Sequence, residues 1–218
     1  MTGARLVAFG DAAVLVELGR TGVVADARRA RAVAWVVDGL RAHDPRLGVP
    51  VPGAASVLVP FDPRATDPDE VRALLAPHID EAVAVPPAAG VLHVIDVRYG
   101  GEDGPDLDAV GAETGLGAAG VVELHAATEY EVLFPGFAPG FAYLGELPGA
   151  LRVARLATPR TRVPAGSVAI AGAMTAVYPQ ASPGGWRLIG RAEVPLFDPG
   201  ATPPALLRAG DRVRFVPR

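Results

Sequence analysis

Arg160 and Arg162 stand two residues apart, between Pro159 and Pro164, in "TPRTRVPAGSVAIAG". In an extended segment positions i and i+2 share a face. Two guanidiniums on one face make a fork-shaped cup for a carboxylate or phosphate; the alternative is a pair of surface arginines on an edge strand. Ser167 follows Ala165-Gly166 without the Gly-x-Ser-x-Gly surroundings of a nucleophile elbow, and reads as a turn hydroxyl. His125 ends a predicted short helix and Glu129 lies four residues on. A carboxylate beside an imidazole can orient it as an acid or base; the alternative is a helix-terminal histidine satisfied by a backbone carbonyl. His93 alternates with apolar residues in a predicted strand, and His43 and His78 fall in predicted peripheral turns. No two histidines have metal-ligand spacing, and no carboxylate cluster resembles a magnesium or calcium site.

A second kind of chemistry is apolar. "FPGFAPGFAYLG", from Phe134 to Gly145, carries Phe134, Phe137, Phe141 and Tyr143 among prolines and glycines. Proline fixes φ and removes a donor, while glycine permits φ > 0. The stretch is therefore an oily loop on a rigid backbone, neither helix nor central strand. "SPGGW", Ser182 to Trp186, is another Pro/Gly turn leading into "LIGR", which ends at Arg191. Gly184 and Gly185 expose backbone amides there, and Trp186 either stacks on a ligand or fills a barrel end.

Composition narrows the function classes. The 218 residues are 50% hydrophobic and 20% charged, with a net charge of −4, which suits a globular chain with no general attraction to nucleic acid. "AETGLGAAGVVELH" faintly resembles a helix-turn-helix, but its second helix lacks the basic residues that DNA demands. No apolar run reaches the roughly 20 residues of a membrane span, and no basic segment leads into an apolar one, so a cytoplasmic chain is expected. There is no cysteine, and all 20 basic residues are arginine. Thiolate chemistry, a Schiff-base lysine and a P-loop lysine are excluded.

The elements that must position these residues fall into two groups. Arg5–Phe9 and Ala13–Leu18 form a hairpin about Gly10-Asp11. Asp26 to Arg41 has helical periodicity through Ala30, Val33, Val37 and Leu40. Val49–Pro52 and Ala55–Phe61 form a second strand pair. "TDPDEVRALLA" opens a second helix, with Asp67 as cap, Pro68 in the first turn and Glu70 completing a capping box. The order ββαββα predicts a small two-layer α+β domain over residues 1–86, ended by the linker "AVPPAAG", Ala84 to Gly90. Residues 87–218 read differently. A strand at Val91–Tyr99 precedes two short helices turning near Gly115. Short β-runs follow at Glu129–Phe134, Val168–Ala171, Thr175–Tyr178, Trp186–Gly190 and Arg212–Val216, the pattern of a closed barrel or sandwich.

"GFAPGFAYLG", "PRTRVPAGSVAIAG", "YPQASPGGWRLIGR" and "AGDRVRF", in this order, resemble the KipI/PxpB family, also known as allophanate hydrolase subunit 1 or the carboxyltransferase C/D-type domain. "RYGGEDGPDLDAVGAETGL" and "VVELHAATEYEVLFPGF" fit the same pattern, and the resemblance runs from Gly10-Asp11 to Phe215. It implies an α+β fold, with a cyclophilin-like β-barrel after the ββαββα domain. It implies a non-autonomous subunit of an ATP-dependent 5-oxoprolinase, converting 5-oxo-L-proline to L-glutamate. The implied partners are a second cyclophilin-like subunit, of the PxpC, KipA or allophanate hydrolase subunit 2 type, and a PxpA-type subunit. ATP is used by the complex, and no independent ATP site is visible in this sequence. Relatives include an inhibitor of a sensor histidine kinase and parts of urea/allophanate carboxyltransferase-hydrolase modules, so a regulatory binding role is the alternative. Ala138 and Ala142-Tyr143 depart from the Ser and Pro-Phe of many members. On this resemblance the substrate- or anion-binding candidates are Arg160, Arg162, Ser167, Phe137, Phe141, Tyr143, Tyr178, Ser182, Gly184, Gly185, Trp186 and Arg191. The catalytic candidates are His125 and Glu129. The aromatic loop is either a water-poor wall for a small lactam or a docking surface for a partner.

Overall fold

Contacts divide the chain into two compact units, Met1–Ala88 and Ala89–Arg218. The computed structural model describes residues 4–84 and 90–218. The predicted division at residue 86 and most of the predicted linker lie outside the described residues. No helix among the described residues is long and apolar enough to cross a membrane.

The first unit runs β1 (Arg5–Ala8), β2 (Ala13–Glu17), α1 (Val23–Arg41), β3 (Val51–Pro52), β4 (Ser56–Pro60) and α2 (Pro68–Ala84), with sheet order β1-β2-β4-β3. The period-2 alternation of strands explains its layering. Val14 pairs with Val59 and Val16 with Val57. All four are fully buried, in one cluster with Ala30, Val33 and Val37 of α1 and Val71, Leu75 and Ile79 of α2. Helix α1 starts three residues earlier than its apolar periodicity indicates. Asp26 sits in its first turn, and its carboxylate accepts from the Thr21 and Gly22 amides and the Thr21 hydroxyl. Asp67 caps α2 as expected, accepting from the Asp69 and Glu70 amides at 2.8 and 2.9 Å. Glu70 turns elsewhere, to the Thr66 hydroxyl and Arg46.

The second unit is a closed barrel. Its strands are β5 (Leu92–Tyr99), β6 (Glu129–Pro135), β7 (Ala142–Gly145), β9 (Ser167–Ala171), β10 (Met174–Val177), β12 (Arg187–Ala192) and β13 (Arg212–Pro217). Around the barrel they run β10-β7-β6-β13-β5-β12-β9, and β9 pairs back to β10. All pairs are antiparallel except β13 with β5. Closure leaves no open edge, and inward positions such as Val97, Val132, Leu144, Ile170, Ile189 and Val213 fill the interior. Helices α3 (Leu107–Thr114) and α4 (Gly117–Ala127) form the predicted pair, with Gly115 in the left-handed conformation that ends α3. Two further strands, β8 (Arg160–Val163) and β11 (Ser182–Gly184), pair as a separate two-stranded ribbon. Strands β7 and β11 lie inside Pro/Gly-rich stretches that the sequence presents as loops, whereas β8 is the extended segment expected about Arg160 and Arg162.

Candidate functional site

The aromatic loop is the connection between β6 and β7. Its turn is held by Gly136 N–H to Phe141 C=O at 3.2 Å and Phe141 N–H to Ala138 C=O at 3.0 Å. The two phenylalanines of the turn part company. Phe141 is buried, with ring centroids 5.0 Å from Tyr143, 5.4 Å from Tyr178 and 6.1 Å from Trp186. Phe137 is 59% exposed and touches this cluster only edge-on, 5.1 Å from Phe141 and 6.2 Å from Tyr178. Its φ is 67°, left-handed backbone that costs a bulky residue on the order of 1–3 kcal/mol. Phe134 stacks on Tyr143 at 4.6 Å. The loop thus builds a wall of aromatic edges whose base is core and whose tip stands in solvent.

Polar groups border this wall on the β8–β11 ribbon. Ser182 pairs with Val163 and Gly184 with Arg160. The register between these two pairs is shifted by a β-bulge, which breaks the alternation of faces. Thr161 and Arg162 are both exposed, whereas Val163 is buried and Arg160 partly so. The simple i, i+2 alternation behind the expected shared cup does not hold across this bulge. Arg160 instead turns to the aromatic side. Its Nη2 donates to Asp106 Oδ1 at 2.7 Å, and Asp106 Oδ2 accepts from the Leu188 amide at 2.7 Å. Both Asp106 oxygens are engaged, which fixes the guanidinium. Arg160 Nη1 is buried and has no hydrogen-bond partner among the described residues, and the same holds for Ser182 Oγ.

Tyr178 sits beneath the ribbon. A Cβ added to Gly184 would collide with its hydroxyl, so glycine is required there for the phenol to reach this face. Burial pushes the Tyr178 phenol up, partly offset by the charges of Arg155 and Arg160 and by a backbone hydrogen bond from Trp186. The phenol is therefore neutral near pH 7 and keeps its own proton to donate. Arg155 lies over the Trp186 ring, 5.8 Å from its centroid, a cation–π contact. The opposite side of this turn is tied by the Leu156 amide to Gly185 C=O at 2.7 Å. Trp186 itself is buried; it fills the end of the cluster, its face covered by Arg155.

The remaining candidates lie elsewhere. Ser167 is buried, and its backbone joins the turn before β9 to Tyr178. Arg191 approaches Asp103 at 3.8 Å and lines a groove of about 220 Å3 with Arg98, Asp96, Glu193 and Val94. His125 and Glu129 are not partners. Glu129 accepts from exposed Arg212 at 2.9 Å. His125 is fully buried, stacked on Phe215 at 4.7 Å. Its ring joins a closed chain. Thr175 donates to Ala169 C=O at 3.0 Å, so its oxygen must accept from His125 Nε2–H at 3.0 Å, and His125 Nδ1 accepts from the Tyr99 hydroxyl at 2.8 Å. Burial lowers its pKa to about 3. With both nitrogens occupied and no solvent access, this imidazole pins α4 to the barrel, and the expected acid–base pairing with Glu129 is replaced by that structural role. His93 likewise serves structure, 3.2 Å from Asp211, whose carboxylate also accepts from the Val91 and Arg208 amides.

Arg155 and Asp106 escaped sequence reasoning. Asp106 lies 54 positions from Arg160, and neither residue stands in a local pattern that marks it. No group of three or more His, Cys, Asp or Glu that could hold a metal ion occurs among the described residues.

Known proteins share this architecture. The family model described as "Carboxyltransferase domain, subdomain C and D" matches residues 4–207. The B subunit of 5-oxoprolinase from Escherichia coli O157:H7 is 42% identical over 219 residues, covering 100% of this chain and 98% of that one. The crystal structure of TTHA0988 superposes with a TM-score of 0.80 at 38% identity, covering 95% of this chain. This chain spans 40% of that longer chain. The Kluyveromyces lactis urea carboxylase gives a TM-score of 0.70 at 18% identity, over 99% of this chain and 22% of that one, a likeness of fold alone.

Proposed function

From the premise that this chain belongs to the carboxyltransferase subdomain C and D family, we propose that it is a non-autonomous subunit of an ATP-dependent 5-oxoprolinase. The overall reaction opens the lactam of 5-oxo-L-proline with water to give L-glutamate, while ATP becomes ADP and phosphate. The observation that carries this reading is the 42% identity to the B subunit of a bacterial 5-oxoprolinase, end to end on both chains. The partners are a second cyclophilin-like subunit and a PxpA-type subunit. That the TTHA0988 chain, of which this one spans 40%, is so much longer supports a domain that works beside others.

The site chemistry suits a share in the work and not the whole of it. The wall of Phe137, Phe141 and Tyr143 offers apolar edges to a small ring, and the arginines offer donors to an anion. ATP supplies the free energy that makes lactam opening favourable. The sequence holds no lysine for a P-loop, and the few donors beside Tyr178 suit one small planar anion. We place ATP binding in the assembled complex. The test is replacement. In a strain whose own equivalent of this 5-oxoprolinase component has been deleted, this chain should restore ATP-dependent 5-oxoprolinase activity to extracts. Normal expression of folded protein with no activity restored would overturn the reading.

A further inference from the structure

We infer that Arg160, Tyr178 and Ser182, with Arg155 at the rim, form the subsite that holds the carboxylate of a small cyclic amide acid, so that the substrate is gripped by this chain. The inference rests on the reading of the chain as a 5-oxoprolinase subunit, and specifies where its substrate sits.

Three observations converge on one face of the β8–β11 ribbon. Arg160 Nη1 and Ser182 Oγ are buried and unpartnered among the described residues. Buried polar atoms nearly always have a partner, because leaving one unmade carries the full desolvation penalty. Arg29 and Arg212 carry such atoms elsewhere; Arg160 Nη1 and Ser182 Oγ are set apart by sharing one short ribbon, with the Tyr178 hydroxyl against it. Asp106 holds the other edge of the Arg160 guanidinium with both of its oxygens engaged, so it orients the arginine without occupying Nη1. The Tyr178 hydroxyl lies directly under Gly184 of the ribbon, and as a neutral phenol it has a proton to give, a third donor. The cluster contains donors and one spent carboxylate. Arg155 and Arg160 against Asp106 leave it net positive.

The ligand follows from that chemistry. A guanidinium edge beside two hydroxyls, each with a proton to give, suits an acceptor-only group, and a carboxylate has two oxygens with about four acceptor positions. The aromatic edges of Phe137 and Phe141 adjoin the patch and take the methylene side of a small ring. A lactam acid presents both features within one five-membered ring. A phosphate would satisfy the donors but gives the aromatic edges nothing to cover.

The chain contains two tryptophans. Trp35 is 76% exposed, so a Trp35→Phe chain reports on Trp186 alone. Titration of that full-length chain with 5-oxo-L-proline should change Trp186 emission saturably, and 2-pyrrolidinone, the same ring without the carboxylate, should bind at least about tenfold more weakly. In the reconstituted complex Tyr178→Phe and Ser182→Ala keep the packing and remove one donor each. Each should raise KM for 5-oxoproline by roughly tenfold, the scale of one hydrogen bond to a charged group, with kcat within about twofold. Wild-type KM in both variants overturns the subsite while leaving the subunit reading intact. Unchanged KM with weakened assembly also overturns it, and assigns the donors to a partner's carboxylate. If the wild-type complex has no 5-oxoprolinase activity, the subunit reading fails on its own. The titration then still decides the subsite: binding that prefers 5-oxoproline to pyrrolidinone upholds it, and equal or absent binding overturns it.

Discussion

The barrel unit holds two aromatic clusters, each built around a polar side chain, and they differ in one respect. Around His125, the rings of Tyr99, Tyr130 and Phe215 enclose an imidazole whose two nitrogens are both hydrogen-bonded, through Thr175 to a backbone carbonyl on one side and to Tyr99 on the other. Around Tyr178, the rings of Phe137, Phe141 and Trp186 adjoin donors that have no partner among the described residues. A buried polar network that is satisfied specifies the fold; one left open carries a desolvation cost that a bound acceptor would relieve. By residue type the first cluster looks the more catalytic, since it contains the histidine. The accounting of donors and acceptors reverses that ranking.

The contrast can be broken most severely through the cores. Phe141→Ala should cost about 3–5 kcal/mol of stability, as for other buried phenylalanines, with a matching fall in urea midpoint. A smaller loss, under about 1 kcal/mol, would mean that the open cluster is not anchored in the barrel as described. The closed cluster has its own signature in pH. The folded-state pKa of His125 is about 3, depressed by burial, against about 6.5 in the unfolded chain. The unfolded state therefore binds the extra proton first. The stabilisation is fully present above about pH 6.5 and is lost as pH falls toward 3, at about 1.4 kcal/mol per pH unit. Urea melts of His125→Gln and the parent across this range should show a shallower pH slope in the variant. Parallel slopes would show that the imidazole is not held neutral.

Smaller effects sharpen the comparison. Phe137 is exposed and strained, so Phe137→Ala should shift Tm by no more than about 2 °C, while KM for 5-oxoproline rises severalfold in the complex and assembly persists. Loss of co-purification with the partners would make the ring tip an interface anchor. Least of all, Glu129→Gln breaks only an exposed pair with Arg212, worth about 0–1 kcal/mol. Its kcat should match the parent; a fall of about a hundredfold would restore Glu129 to the chemistry.

What the sequence made legible follows the range of the interactions concerned. The ββαββα order came from local signals: the helical stripe of α1 and the Asp67 cap of α2. The aromatic wall was legible because Phe137, Phe141 and Tyr143 are neighbours in one turn. The bulge in the β8–β11 ribbon was not, because a register shift between two strands leaves no mark in "PRTRV". The Asp106–Arg160 and His125–Thr175 contacts span 54 and 50 positions. Pairings of that length are set by the tertiary fold, and nothing in their own neighbourhoods marks them. For His125, the alternative of a satisfied structural histidine was readable from its place in α4, although its partners were not.

The most direct test of the account is reconstitution from purified parts. This chain, the second cyclophilin-like subunit and the PxpA-type subunit are assayed with 5-oxo-L-proline and ATP, complete and with each protein omitted in turn. The complete mixture should form glutamate with stoichiometric ADP release, and omission of this chain should abolish glutamate formation, as should its use alone. Undiminished glutamate formation without it, or robust turnover by this chain alone, would contradict its role as a non-autonomous subunit.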